Sequence, residues 1–371
     1  MLSENEVDLS ELKGRRFTCI DGCELCCLCQ PEVMAEEAPF FRKNHPERLV
    51  WMDDPYQHLT IATKEGGGPC SFLEGGRCVV YDHRPRFCCQ YPVHLYLGER
   101  LQVELDFSCR GVWLTRGEET ITLAQDLISS GGNQLEEMLS QTRGIYDEFW
   151  TNCNIAGVIA DVAQIRENVE KTIEGLELET LARMLESSAD EGEVELPLEA
   201  EPLSKSEKHD LEVAAMESTL SSLESDSPYS APVYCDLTGK WHLFVVRDRE
   251  IHWQVMDREG ELHYMDLIDP MSVCIADTNL TRTSVFRDYL RTLNRRDSFL
   301  GHVCYIEDMY GYEDYLSNTY IGAFSTSALD LLWRTALLGK IFGIVEEDLM
   351  REGVIYYDMD RLGAPTIGAF Y

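Results

Sequence analysis

Cys19, Cys23, Cys26, Cys27 and Cys29 fall within eleven residues near the start of a 371-residue chain. Few arrangements of a short segment tolerate so many thiols. Cys70, Cys78, Cys88, Cys89 and Cys109 follow, so ten of the fourteen cysteines lie between positions 19 and 109. The polar, charged opening 1–16 offers no apolar leader, and the chain reads as cytoplasmic, where thiols stay reduced. Clustered cysteines in that setting predict metal binding rather than disulfides. Gly66-Gly67-Gly68-Pro69, Gly75-Gly76, Pro85 and Pro92 add turn residues, which predicts a loop-rich module organised around its ligands.

The signal is strong for a metal and weak for which one. Cys70, Cys78, Cys88 and Cys109 are separated by seven or more residues, unlike the closely spaced second pair of a zinc ribbon. This favours an iron–sulfur centre, with zinc as the alternative. Ten cysteines accommodate two four-thiolate centres with two to spare, or one centre and six ordinary thiols. The adjacent pairs Cys26-Cys27 and Cys88-Cys89 are expected to diverge, one member to each of two sites. Arg15, Arg16, Arg77, Arg84 and Arg86 supply local positive charge for an anionic centre.

The pattern Phe17-x-Cys19, Cys23-x-x-Cys26-Cys27, Cys70-x-Phe72-Leu73, Cys78-x-x-Tyr81, Arg84-Pro85-x-x-Cys88, Tyr91-Pro92 and Cys109 resembles the YkgJ-like cysteine-cluster family, described as zinc- or iron-chelating. It covers about the first third of the chain. The resemblance implies Cys19, Cys23, Cys26, Cys27, Cys70, Cys78, Cys88 and Cys109 as ligands, with Cys29 and Cys89 as extras. Of the local cations, Arg84 and Arg86 are expected beside the cofactor. That family is similar to flagellin lysine N-methylases, which implies a four-iron cluster, S-adenosylmethionine and a protein-methylating activity. Cys19-x3-Cys23-x2-Cys26 also matches the loop of radical S-adenosylmethionine enzymes, but their alternating strands and helices are missing.

The formal net charge of −34 comes from 66 acidic and 32 basic side chains. Such a surface repels phosphate backbones and anionic lipids, so neither nucleic acid nor a membrane is an expected partner. The longest apolar run, 328–345, contains Asp330, Arg334 and Lys340, which argues against a spanning helix.

The predicted fold class is α+β. Residues 1–115 form the metal module, 116–186 a helical cap, 187–230 a flexible acidic linker with one helix over 205–223, and 231–371 a C-terminal domain. Strands are predicted over 232–237, 241–247, 251–256 and 261–268, followed by helices. The repeated spacing of Leu329, Leu332, Trp333, Ala336, Leu337 and Ile341 marks a buried helix face.

His242, His252 and His263 begin successive strands. The expected register sets His242 opposite Val255 and His263 opposite Gln254, on different faces, which disfavours a shared histidine site. Asp358 and Asp360 are a weak magnesium pair. Cys153, Cys235, Cys274 and Cys304 read as core residues, and the glycine runs read as turns. No fixed-period repeat stands out.

The expected function is an iron–sulfur protein, with a 4Fe–4S cluster. It would act in electron transfer or S-adenosylmethionine-linked protein modification through a protein partner on the C-terminal domain. The alternatives are a zinc-stabilised adaptor, or a carrier that passes metal or cluster along through Cys29 and Cys89.

Overall fold

The computed structural model describes residues 6–53, 57–198, 201–276, 278–344 and 346–371. The first five residues of the polar opening, two of the acidic stretch (199–200) and the end of the apolar run (345) lie outside the described residues.

The fold is α+β, small sheets enclosed by helices. Val93–Leu97 and Leu101–Leu105 form an antiparallel hairpin whose residues are nearly all buried. Val7–Asp8 adds to it in parallel and Ala369–Phe370 antiparallel, so segments from both ends of the chain share one sheet. The helix Thr120–Ala156 packs on the hairpin, with a break at Gly132, whose φ of 47° is left-handed. Val162–Glu174 and Leu178–Ser188 follow, packed chiefly on the helices Ser284–Arg295 and Leu316–Phe342 respectively.

The 27-residue helix Leu316–Phe342 is the axis of the molecule. Tyr320, Phe324, Leu331, Trp333 and Leu337 are fully buried because neighbouring helices cover it on several sides. A helix apolar around most of its circumference needs such cover in water. Asp330 and Arg334 pair one turn apart within it, and Arg334 also holds Asp360. No helix among the described residues is long and apolar enough to cross a membrane.

The stretch read as a flexible acidic linker is ordered over much of its length. Ser204 and Glu207 form a reciprocal capping box that starts the helix Lys205–Leu223. Leu211, Ala215, Met216, Leu220 and Leu223 of that helix are buried in the main core, beside the axial helix. Composition registered the charges; it did not register that most of them sit in the first six, largely exposed residues of the helix, ahead of the buried positions that start at Leu211.

Val233–Cys235, Trp241–Arg247, Glu250–Met256 and Leu262–Ile268 form the predicted antiparallel meander, paired in chain order. One face gives Phe244, Val246 and Ile251 to the main core. The other gives Val233, Cys235, Trp241, Leu243, Val245 and Met256 to a second cluster with Leu25 and Leu73 of the cysteine module. Each large apolar side chain so buried contributes about 1.5–3 kcal/mol. The meander is therefore a wall, with helices on one side and the cysteine loops on the other.

The histidine register differs from expectation. His263 pairs with Val255, not Gln254, because the hairpin closes on Met256 opposite Leu262, one residue later than the predicted strand start; farther along, the ladder shifts between Trp253 and Gln254, with Met265 as an extra residue. His242 pairs with the same Val255, so both histidines point to one face.

Buried charges join distant segments. Arg296, with no exposed side-chain surface, donates to Glu11, Asp358 and the Leu105 carbonyl. Arg361 donates to Glu104 and Asp358. Asp358 also accepts from Tyr289 and the Phe107 amide, so it is an anchor rather than a magnesium ligand.

Candidate metal centre

The cysteine module has a small core of its own, Val33, Ala38, Phe41, Leu59, Ile61, Phe72 and Val80. Its ligand loops come from four places. Cys19 and Cys23 lie in irregular chain, and Cys26 and Cys27 in the single turn Leu25–Leu28. Cys70 precedes the short hairpin Leu73–Glu74/Arg77–Cys78 and Cys78 ends it, Cys88 lies in the helix Arg86–Gln90, and Cys109 precedes the turn Arg110–Leu114.

These loops converge. Cys19 and Cys109 each lie within electrostatic range of Cys23 and Cys26. Cys27 lies within range of Cys70 and Cys78, and Cys88 within range of Cys70, Cys78, Cys26 and Cys29. The eight residues expected as ligands thus share one neighbourhood, with Cys26 within range of thiols from every segment. Those two side chains hydrogen-bond to each other rather than diverging, because they sit in a tight helical turn and not in a strand. Cys88 faces the other thiols. Cys89 is exposed, with its Sγ on the Arg84 carbonyl at 3.5 Å.

Most of the thiols are held protonated. Burial pushes Cys70 up to about 11 and raises Cys88 and Cys109 as well. A bound cation would have to displace those protons. Cys23 and Cys26 are the exceptions: Cys23 is lowered to about 6 chiefly by a hydrogen bond from the Cys235 thiol, and Cys26 is lowered chiefly by one from Cys27. Among the described residues no three of these sulfurs lie within 4.8 Å of one another; the group that does so is Asp257, Glu261 and His263.

The two expected cofactor-side arginines separate. The Arg84 charge reaches Cys19, Cys26, Cys78 and Cys89, and its guanidinium lies 3.7 Å from the Tyr81 ring centroid. Arg86 instead lies over the rings of Phe87 and Tyr371.

Two residues at the site were not read from the sequence. Cys235, expected as core, is buried but also meets Cys23, with its Sγ 3.5 Å from the Cys23 carbonyl. Arg110 donates to the Cys235 carbonyl and pairs with buried Glu352, which also accepts from Tyr234 at 2.7 Å. Of the other expected core cysteines, Cys153 and Cys304 are buried, whereas Cys274 is exposed with its Sγ 2.9 Å from Glu212. Only a fold that brings residue 235 to residue 23 reveals the first of these.

Backbone details fix the loop against the wall. Glu24 takes a left-handed φ of 54°, a conformation that favours glycine, and its carboxylate is held by Arg258 at 2.7 Å. A Cβ on Gly239 would lie 2.4 Å from the Gly22 carbonyl, so the turn of the meander and the cysteine loop touch through bare backbone. Trp241 Nε1 donates to the Cys23 carbonyl at 3.3 Å.

Compared with family models, curated proteins and solved structures, the chain matches none.

Proposed function

We propose that this is an iron–sulfur protein whose centre lies among Cys19, Cys23, Cys26, Cys27, Cys70, Cys78, Cys88 and Cys109 and exchanges electrons with a protein partner. The carrying observation is the convergence of these thiols from four separate segments on one neighbourhood around Cys26. Their spacing supports a polynuclear centre. A single tetrahedral ion needs sulfurs about 3.8 Å apart at the usual zinc–thiolate distance, and no three of them approach within 4.8 Å. In a four-iron cluster each thiolate binds a different iron, so the ligands stand further apart. Arg84 supplies charge, and the Cys235 thiol supplies a hydrogen bond to one ligand sulfur, both of which stabilise an anionic cluster.

Electron exchange suits the location. None of the ten clustered cysteines is fully buried, and Cys19, Cys29 and Cys89 are exposed. The acidic surface would steer a partner with a basic face. The S-adenosylmethionine-linked activity implied by the family resemblance would need a cofactor cavity at the thiols. A cavity of about 550 Å³ lined by Tyr146, Trp150, Arg166 and Leu300 among others includes none of the thiols.

The test is metal and sulfide analysis with an absorption spectrum on protein purified without oxygen. Iron with acid-labile sulfide and a broad band near ~400 nm supports the proposal, with loss in Cys23→Ser and retention in Cys89→Ser. Stoichiometric zinc in a colourless protein overturns it.

A further inference from the structure

The meander contains the same hairpin built twice. Asp236-Leu237-Thr238-Gly239-Lys240-Trp241-His242 and Asp257-Arg258-Glu259-Gly260-Glu261-Leu262-His263 share Asp, Gly and His at identical spacing. In each, the Asp amide donates to the carbonyl four residues on, and the glycine amide donates back to the Asp carbonyl. In each, the Asp Oδ1 accepts from the amides two and four residues later. Both glycines have positive φ, 80° and 92°, as a tight turn ending in a bulge requires. In each, the Asp Oδ2 meets the Nε2 of the histidine, at 3.1 and 3.0 Å.

The copies differ at the chemistry. His242 is buried and its Nδ1 accepts the Trp253 Nε1 proton, so Nε2 carries the hydrogen given to Asp236. Lys240 presents an ammonium whose charge reaches that histidine. This copy is a closed structural unit. In the other copy the fifth position is Glu261 and the histidine is exposed. One ligand atom from each of Asp257, Glu261 and His263 lies within 4.8 Å of the other two. The nearby basic side chains are engaged elsewhere: Arg258 on Glu24 and Lys64 on Glu259. Two carboxylates are thus brought to an imidazole in a scaffold whose twin sets a lysine at the same place.

We infer that Asp257, Glu261 and His263 form a site for a divalent first-row transition ion, separate from the thiols. The ion would take the place of the proton that His263 shares with Asp257, and the two carboxylates would balance its charge. It would also stiffen the turn whose Arg258 holds Glu24 of the cysteine loop.

Mn²⁺ is the suitable probe, because oxygen and nitrogen ligands accept it and thiolates prefer softer ions. Free Mn²⁺ would be measured by electron paramagnetic resonance during titration of the full chain at 0.15 M salt (about physiological ionic strength), which screens diffuse binding to the acidic surface. One ion per chain should bind above that background. Glu261→Gln and His263→Gln should each weaken it about tenfold or more, since even outer partners shift metal affinity on that scale. Glu261→Lys, which copies the other hairpin, should abolish it, and Glu137→Gln on the helix Thr120–Ala156 should leave it unchanged. Absence of a site above background, or a site indifferent to changes at Glu261 and His263, overturns the inference. The readout does not depend on iron.

Discussion

At the scale of residues, one neighbour often decides what a side chain does. Burial lowers the pKa of His242, while its bond to Asp236 pulls the other way. A folded-state value below the ordinary 6.5 means that the unfolded chain binds the proton more tightly. The stabilising contribution is present above about pH 6.5 and is lost as the pH falls through the folded-state value. Thermal unfolding measured from pH 7.5 down to pH 5 should therefore show a decline in the parent protein that is shallower in His242→Gln. An identical slope in the two proteins would remove His242 from the acid response. Cys235 shows the same dependence on surroundings: by sequence it is a small apolar residue in a strand, and by position it is a donor to Cys23.

At the scale of elements, regular patterns were legible and irregular ones were not. The strand Trp241–Arg247 and the helix Lys205–Leu223 match the bounds read from turn residues and periodicity. The docking of that helix was not legible, because its buried face is short and its composition polar. Leu220→Ala should destabilise the protein by about 2–5 kcal/mol in urea unfolding, the cost of a buried leucine; a change under about 0.5 kcal/mol, typical of surface substitutions, would make the helix peripheral. The extra residue at Met265 was equally invisible, since no glycine or proline marks it; what moved His263 to the face of His242 was the closing pair Met256–Leu262, one residue off the strand start read at Glu261. Of the metal centre, the ligand types and segments were readable. Their convergence around Cys26 was not, because it depends on the turn at Leu25–Leu28 and on how separate loops meet.

At the scale of the whole molecule, the cysteine segment depends on the C-terminal half of the chain. Residues 1–115 include a small core of seven buried side chains, but one wall of the site is the meander and its closure uses Arg110 on Glu352. A buried pair that loses one partner is strongly destabilising. A fragment of residues 1–115 should therefore lack a dispersed NMR spectrum, with or without iron; a folded spectrum would make the segment autonomous.

The contact between Cys235 and Cys23 spans 212 positions. On a ribosome adding about 5–20 residues per second, the loop Cys19–Cys29 emerges about 10–40 s before the strand that shelters it. During that interval the thiols are an open set, available to any soft ion or oxidant that arrives first. Faithful loading of this centre is thus a matter of timing as much as of affinity, with delivery of the right metal having to wait for, or hold off competitors until, the second half of the chain is made.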